Sequence, residues 1–149
     1  MDKNPVNRIS KILVDVLFFV GIIAVIAVPL LARYVSSFYD YGGPQTTCLA
    51  VILFFAGLCA LYVLHNLRLM FRTLLGGNPF VEKNIVCFRR MAVACAAIAV
   101  LCTVKCFLLF TFGTIAVVIV FVVGAMFCLT LKNIFEQAIA YKQENDLTV

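Results

Sequence analysis

The chain has no tryptophan, a single histidine and four prolines in 149 residues, and only 13% of its residues are charged. Each shortage removes a class of function. His65 has no second imidazole beside it, and none of the seven cysteines forms a Cys-x-x-Cys pair, so no metal-ligand set of the usual spacing exists. The same gap removes the dithiol that a membrane thiol oxidoreductase needs. No Ser/His/Asp set and no carboxylate pair can be assembled. Gly76-Gly77-Asn78 lacks the Gly-Lys-Ser/Thr that would complete a phosphate-binding loop. The expectation is a protein that is not an enzyme and holds no cofactor.

What the chain has in their place is apolar length. It is 64% hydrophobic with a mean hydropathy of +1.10, against roughly 45–50% apolar and about 25% charged residues in a soluble domain. A chain this short cannot fold that much apolar surface inside itself, so membrane lipid must be the solvent for most of it. The predicted fold is all-α: one domain over residues 1–149, a polytopic membrane protein with four transmembrane helices. The second, third and fourth of these extend into the cytoplasm.

The first apolar run covers residues 12–32. Its 21 residues match the roughly 20 that a helix needs to cross the hydrocarbon. A signal-peptide core is only about 7–15 residues long, and no small-x-small cleavage site follows, so the run reads as a retained span. Pro29 lies in its last turns, where a kink or a helix end is cheapest. Residues 33–47 read as a loop whose Tyr34, Phe38, Tyr39 and Tyr41 suit an interfacial aromatic belt, with Gly42-Gly43-Pro44 as a turn.

The second span covers about residues 47–64, and its helical pattern continues unbroken to Gly76-Gly77. These glycines suit a C-terminal cap with positive φ. Asn78 then suits an N-cap and Pro79 the first helical position. A third helix is therefore expected from Pro79 through Arg90 into a span at about 91–109. The hairpin over about residues 65–90 would stand about 15 Å beyond the bilayer. A tight turn at 110–114 leads to a fourth span at about 115–131 and a tail over 132–149.

Ten of the twelve lysines and arginines precede the first span, lie between the second and third, or follow the fourth. Only Arg33 and Lys105 fall on the other side. This asymmetry predicts a multi-pass protein of the cell membrane with both termini and the hairpin in the cytoplasm. It also accounts for the net charge of +5 without direct nucleic-acid binding. Asp15, four residues after Lys11, is expected to pair with it or to reach the interface. Lys105 is expected to extend to the opposite interface, and the two should not meet. Cys95, Cys102 and Cys106 share a helical face and behave as small apolar residues. Ala92, Ala96 and Ala99 form a small-residue stripe suited to close helix packing.

Beyond the spans, apolar residues recur at helical spacing. Leu67, Phe71, Leu74 and Leu75 precede the tip; Phe80, Ile85 and Phe88 follow it; Leu131, Ile134, Phe135 and Ile139 line the fourth helix. They predict a collar of three amphipathic ends that either bury one another or also receive a soluble partner.

Gly77-Asn78-Pro79-Phe80 with Asn84 and Phe88-Arg89-Arg90, and Phe135 with the terminal Glu144-Asn145-Asp146-Leu147-Thr148-Val149, are similar to a bacterial family of four-span membrane proteins. That family is catalogued as domain of unknown function 2975. Ala138 stands where members often have glycine. The resemblance implies no activity. It implies association with a small helix-turn-helix DNA-binding regulator encoded alongside, and so a regulatory role. The residues it nominates for partner binding are Asn78, Pro79, Phe80, Asn84, Arg89, Phe135, Glu136, Glu144, Asn145 and Asp146. A small transporter, or an immunity or stress protein against membrane-active compounds, is the alternative. A homo-oligomer is left open.

Overall fold

A computed structural model describes residues 5–39, 42–76 and 80–147. These residues form four helices in chain order: α1 (Pro5–Tyr39), α2 (Gly43–Leu75), α3 (Glu82–Leu108) and α4 (Phe112–Leu147). All four are long and apolar enough to cross a membrane. Helices are the form that such runs must take in lipid, because each backbone N–H and C=O is satisfied within its own segment.

Several helix ends differ from the sequence reading, each for a local reason. α1 passes through Pro29 and continues to Tyr39, so most of the expected loop at 33–47 is helical. Proline removes one hydrogen bond, to the carbonyl four residues back, and the rest of the ladder carries the helix on. Near its end the Ser36 and Ser37 hydroxyls donate to the carbonyls of Arg33 and Tyr34, each at 2.8 Å. The turn glycines and proline open α2 instead of preceding a long loop. The Gly42 N–H donates to Gln45 Oε1 at 3.1 Å, and Pro44 sits in the first turn, where its missing N–H is no loss. Tyr41 lies outside the described residues.

α2 ends at Leu75, and the Gly76 N–H donates to the Arg72 carbonyl at 3.1 Å. Gly76 has φ −76°, so the expected positive-φ cap does not occur there. Gly77, Asn78 and Pro79 lie outside the described residues. α3 begins at Glu82 rather than at Pro79. Val81 is its extended N-cap, and the Val81 carbonyl accepts the Asn84 N–H at 2.9 Å. Phe80 stays out of the helix because its ring lies against Phe135 of α4, 5.4 Å between centroids. Glu82 then places a carboxylate at the positive end of the helix dipole.

The α3–α4 turn is short. The Leu109 N–H donates to the Lys105 carbonyl at 2.7 Å, and the Thr114 N–H to the Thr111 carbonyl at 2.9 Å. The Lys105 ammonium donates to Thr114 Oγ1 at 2.6 Å and ties the ends of the two helices together. α4 then runs 36 residues, about 54 Å, to Leu147, so most of the expected tail is helix.

The helices pack in a row. α1 lies on α2, α2 on α3 and α3 on α4, and no other pair of helix backbones approaches closely among the described residues. α1 and α2 meet through glycines that the sequence reading passed over. A Cβ added to Gly57 would lie 2.7 Å from Val25 Cγ2, and one added to Gly21 would lie 2.9 Å from Leu61 Cδ2. α3 is the most buried helix, through Met91, Ala92, Ala94, Cys95, Ile98 and Ala99. Ala96 of the expected stripe is exposed, and Cys95 takes the packing position beside Ala92 and Ala99. The outward faces carry large apolar side chains, among them Ile23, Ile26 and Leu30 on α1 and Val120, Val123 and Phe127 on α4. A surface of this kind is one that lipid covers.

Asn66 is the most enclosed large side chain, 1% exposed. Its Nδ2 donates to the Tyr62 carbonyl at 2.8 Å, and its Oδ1 has no partner among the described residues. A buried acceptor without a donor costs about 1–3 kcal/mol of desolvation. Asn66→Leu is therefore expected to stabilise the fold by about 1 kcal/mol, read as a higher midpoint in denaturation from mixed micelles. A fall in the midpoint would show that Oδ1 is satisfied.

Candidate functional site

Three features gather at the end of the molecule that holds the α2–α3 connection and the end of α4. The first is an aromatic lock. Phe135, one turn past Leu131 on α4, meets Phe80 at 5.4 Å and Phe88 at 5.0 Å between ring centroids. Phe88 is buried with Met91, Ala92 and Cys128, and Val63, Leu67, Met70, Leu131 and Phe135 pack around them. The predicted collar thus exists, and its three helix ends bury one another. Ile134 and Leu75 stay exposed at its rim.

A polar pair closes the hairpin from inside. The Thr73 hydroxyl stands 2.7 Å from the Met70 carbonyl and 2.8 Å from Asn84 Oδ1. Asn84 is 3% exposed, so this nominated partner-binding residue lies inside the hairpin instead of on its surface. Phe80 is half exposed and forms part of the outer face. Glu136, on the exposed side of α4, pairs with Lys132 one turn earlier at 2.8 Å. Glu144 and Asn145 continue the same helix near its end. Asp146 lies on that helix, and Asn78 and Pro79 fall outside the described residues. Arg89 is placed away from Phe135, in the groove between α2 and α3. The lock therefore unites Phe80, Phe88 and Phe135, and it leaves Arg89 and Glu136 on separate faces.

The second feature is a basic groove that the sequence reading treated only as a topology signal. Leu69, Arg72, Thr73, Lys83, Asn84, Val86, Cys87 and Arg90 line a cavity of about 310 Å³ between α2 and α3. Cys87 is one of its lining residues, before the third span. Burial pushes its thiol up, and Arg90 and Lys83 pull the other way.

The third feature joins α1 to α2. Arg68 Nε donates to Asp15 Oδ1 at 2.5 Å, with both side chains about a third exposed. This overturns the expected pairing of Asp15 with Lys11. Arg68 sits on the neighbouring helix at the same height, and its guanidinium carbon also lies 4.7 Å from the centre of the Phe18 ring. Lys11, His65 and Arg72 surround the pair in a cavity of about 210 Å³. The expectation that Asp15 and Lys105 stay apart holds, since each has a partner at its own end of the molecule.

Phe80 and Phe88 of the central stretch and Phe135 of α4 thus meet in space at the aromatic lock. The profile of the family described as a protein of unknown function, DUF2975, matches residues 12–149. The chain belongs to this family. No curated protein and no solved structure matches it. In this DUF2975 protein, the stretch around Phe80 and the one around Phe135 are two halves of one contact, 55 residues apart in the chain and 5.4 Å apart at the ring centroids. Arg68 and Asp15 could not be matched from the sequence in the same way, because nothing local to either run names its partner.

Proposed function

We propose that this DUF2975 protein is a regulatory protein of the cell membrane that docks a small soluble partner at its hairpin end. Both termini and the hairpin face the cytoplasm in this reading. The charge asymmetry supports that orientation, with ten of the twelve basic residues before the first span, between the second and third, or after the fourth. The partner that fits the family resemblance is a small helix-turn-helix DNA-binding regulator, held on the protein and so kept from DNA.

One observation carries the proposal. The hairpin is locked onto α4 beyond the apolar spans by Phe80, Phe88 and Phe135, and α4 continues as a helix to Leu147. A preformed surface loses less entropy on binding than a floppy loop would. Phe80 and the exposed face of α4 around Glu136 present an aromatic anchor and a carboxylate on that surface. Asn84 serves the surface from below, by holding the hairpin through Thr73. The test is co-purification of the detergent-solubilised protein with the regulator encoded beside it. A stable complex that weakens on Phe80→Ala and on deletion of residues 143–149 supports the reading. Absence of a complex, or a complex indifferent to both changes, overturns it.

The transporter alternative needs an ionisable carboxylate free to bind substrate within the bilayer. Asp15 is instead engaged by Arg68 at the hairpin end of α1. Asp15→Asn is expected to weaken α1–α2 docking by about 1 kcal/mol, because a partly exposed ion pair becomes a neutral hydrogen bond. Partner capture is expected to stay intact. Loss of resistance to a toxic compound in cells carrying Asp15→Asn, with capture unchanged, would favour transport instead.

A further inference from the structure

The basic cavity between α2 and α3 does not stand alone. Arg90 and Val86 line it and also line a second, larger space of about 530 Å³ that runs along the same two helices into the apolar span. Its walls include Leu58, Cys59 and Tyr62 from α2 and Val93, Ala94 and Ala97 from α3, with Arg89 beside Arg90. The two adjoining spaces, which meet at Arg90 and Val86, differ in character along the α2–α3 pair. The groove they form is apolar where the helices are at membrane depth, and it is cationic from Arg90 to Lys83 and Arg72, where the span ends.

Two further observations fix the kind of occupant. Among the described residues, no carboxylate lines either part of the groove. Among the described residues, the ion pairs are Arg68 with Asp15 and Lys132 with Glu136, so Arg72, Lys83 and Arg90 form no ion pair, and the carboxylate near Arg72, Asp15, is already engaged by Arg68. Three cations at a water–lipid boundary, in excess of the one neighbouring carboxylate, attract an anion, and the apolar trough beneath them suits a hydrocarbon chain. A phosphate ion would leave the trough unfilled. A neutral lipid would leave the cations unmatched. Apolar trough and cation cluster together are met by a single molecule with an acyl chain and a phosphate.

We propose that the α2–α3 groove binds one anionic glycerophospholipid, its phosphate among Arg72, Lys83 and Arg90 and an acyl chain along Leu58, Tyr62, Val93 and Ala97. The Thr73–Asn84 pair at the cavity wall holds the hairpin at the spacing that brings Arg72 of α2 opposite Lys83 and Arg90 of α3. The lipid would thereby cross-brace the two arms of the hairpin, which makes the geometry of the hairpin end depend on the anionic lipid content of its leaflet. This inference needs only the groove and a bilayer, and it stands independently of any protein partner.

The test uses the full chain in neutral detergent, titrated with dioleoylphosphatidylglycerol and followed by native mass spectrometry and by thermal midpoint. One lipid is expected to bind per chain and to raise the midpoint. Dioleoylphosphatidylcholine, which has the chains without net charge, and inorganic phosphate or glycerol 3-phosphate, which have the charge without chains, are each expected to bind at least tenfold more weakly. Each cation removed is expected to cost about fivefold in affinity, so Lys83→Gln with Arg90→Gln together lower it about 25-fold. Both positions are exposed, so this variant keeps the fold, checked by unchanged helicity. Ala97→Leu, which fills the trough and leaves the cations in place, is expected to reduce binding of the phosphatidylglycerol but not of glycerol 3-phosphate. Equal binding of the two dioleoyl lipids, saturation by phosphate alone at the same concentration, or phosphatidylglycerol binding unchanged in the double glutamine variant would each overturn the proposal.

Discussion

Phe135→Ala is expected to release the hairpin from α4 and to lower stability by about 2–3 kcal/mol, below the range of about 3–5 kcal/mol for a fully buried phenylalanine because the ring is partly exposed. The ring contributes in two directions. It meets Phe88 edge to face, and Phe88 is 4% exposed within the core of the collar; it also covers Phe80, which has no helix of its own to hold it. Removing it opens a cavity beside Leu67, Met70 and Leu131 and takes away the ring contact to Phe80. Phe135→Leu, which keeps most of the volume, is expected to cost only about 1 kcal/mol. Reversible unfolding in mixed micelles gives the magnitudes, and protease cleavage within residues 76–81 reports the released hairpin. The lock is wrong if the alanine variant unfolds within 1 kcal/mol of the leucine variant, by the scale of such substitutions, and its hairpin resists protease equally well.

This lock shows what in the sequence was legible and what was not. The four apolar runs were readable because the bilayer sets their length and leaves a spanning segment no form but a helix or a closed barrel. The continuation of α2 past its span, and the convergence of three amphipathic ends, followed from the spacing of Leu67, Phe88 and Phe135. The start of α3 did not. Asn78 and Pro79 satisfy every local rule for opening a helix, yet Glu82 opens it, because Phe80 is drawn into a contact with a residue 55 positions away. Pro29 misled in the same manner. A local breaker in lipid meets no competing water, so α1 simply continues.

The candidate site divides along the same line. Phe80 and Phe135 were identifiable because aromatic residues in an otherwise polar, post-membrane segment have little reason to be there except contact. The basic groove was hidden in plain view, since arginines beside a span are already explained by topology. Only the arrangement of Arg72 on one helix opposite Lys83 and Arg90 on the next separates a site from an orientation signal. Asp15 was readable as unusual but not as the partner of Arg68, a contact spanning 53 residues. Helix periodicity gives the face a residue lies on and says nothing about which helix will lie against that face.

Gly57→Ala is the second change with a large expected effect. It adds a single methyl group, yet that methyl would sit 2.7 Å from Val25 Cγ2, inside the distance at which real side chains pack. Val25 is 8% exposed and branched at Cβ, so it cannot rotate clear without striking its own helix. The helices must separate, and overpacking of this kind costs about 1–3 kcal/mol. Separation would also draw Asp15 away from Arg68, because both contacts lie on the one α1–α2 interface. Gly21→Ala is expected to be milder. Its methyl meets Leu61 Cδ2 at 2.9 Å, the far end of a side chain that can take another rotamer. The sharper test is the pair Gly57→Ala with Val25→Ala. Once the valine methyls are gone, the nearest remaining atom of residue 25 would be Cβ at 3.8 Å, an ordinary contact. The double variant is therefore expected to be more stable than the sum of the two single losses by about 1 kcal/mol or more, the coupling of two residues in direct contact. Additive losses in the same mixed-micelle denaturation would mean that α1 and α2 do not meet at Gly57, and the row of helices would have to be rebuilt from its first pair.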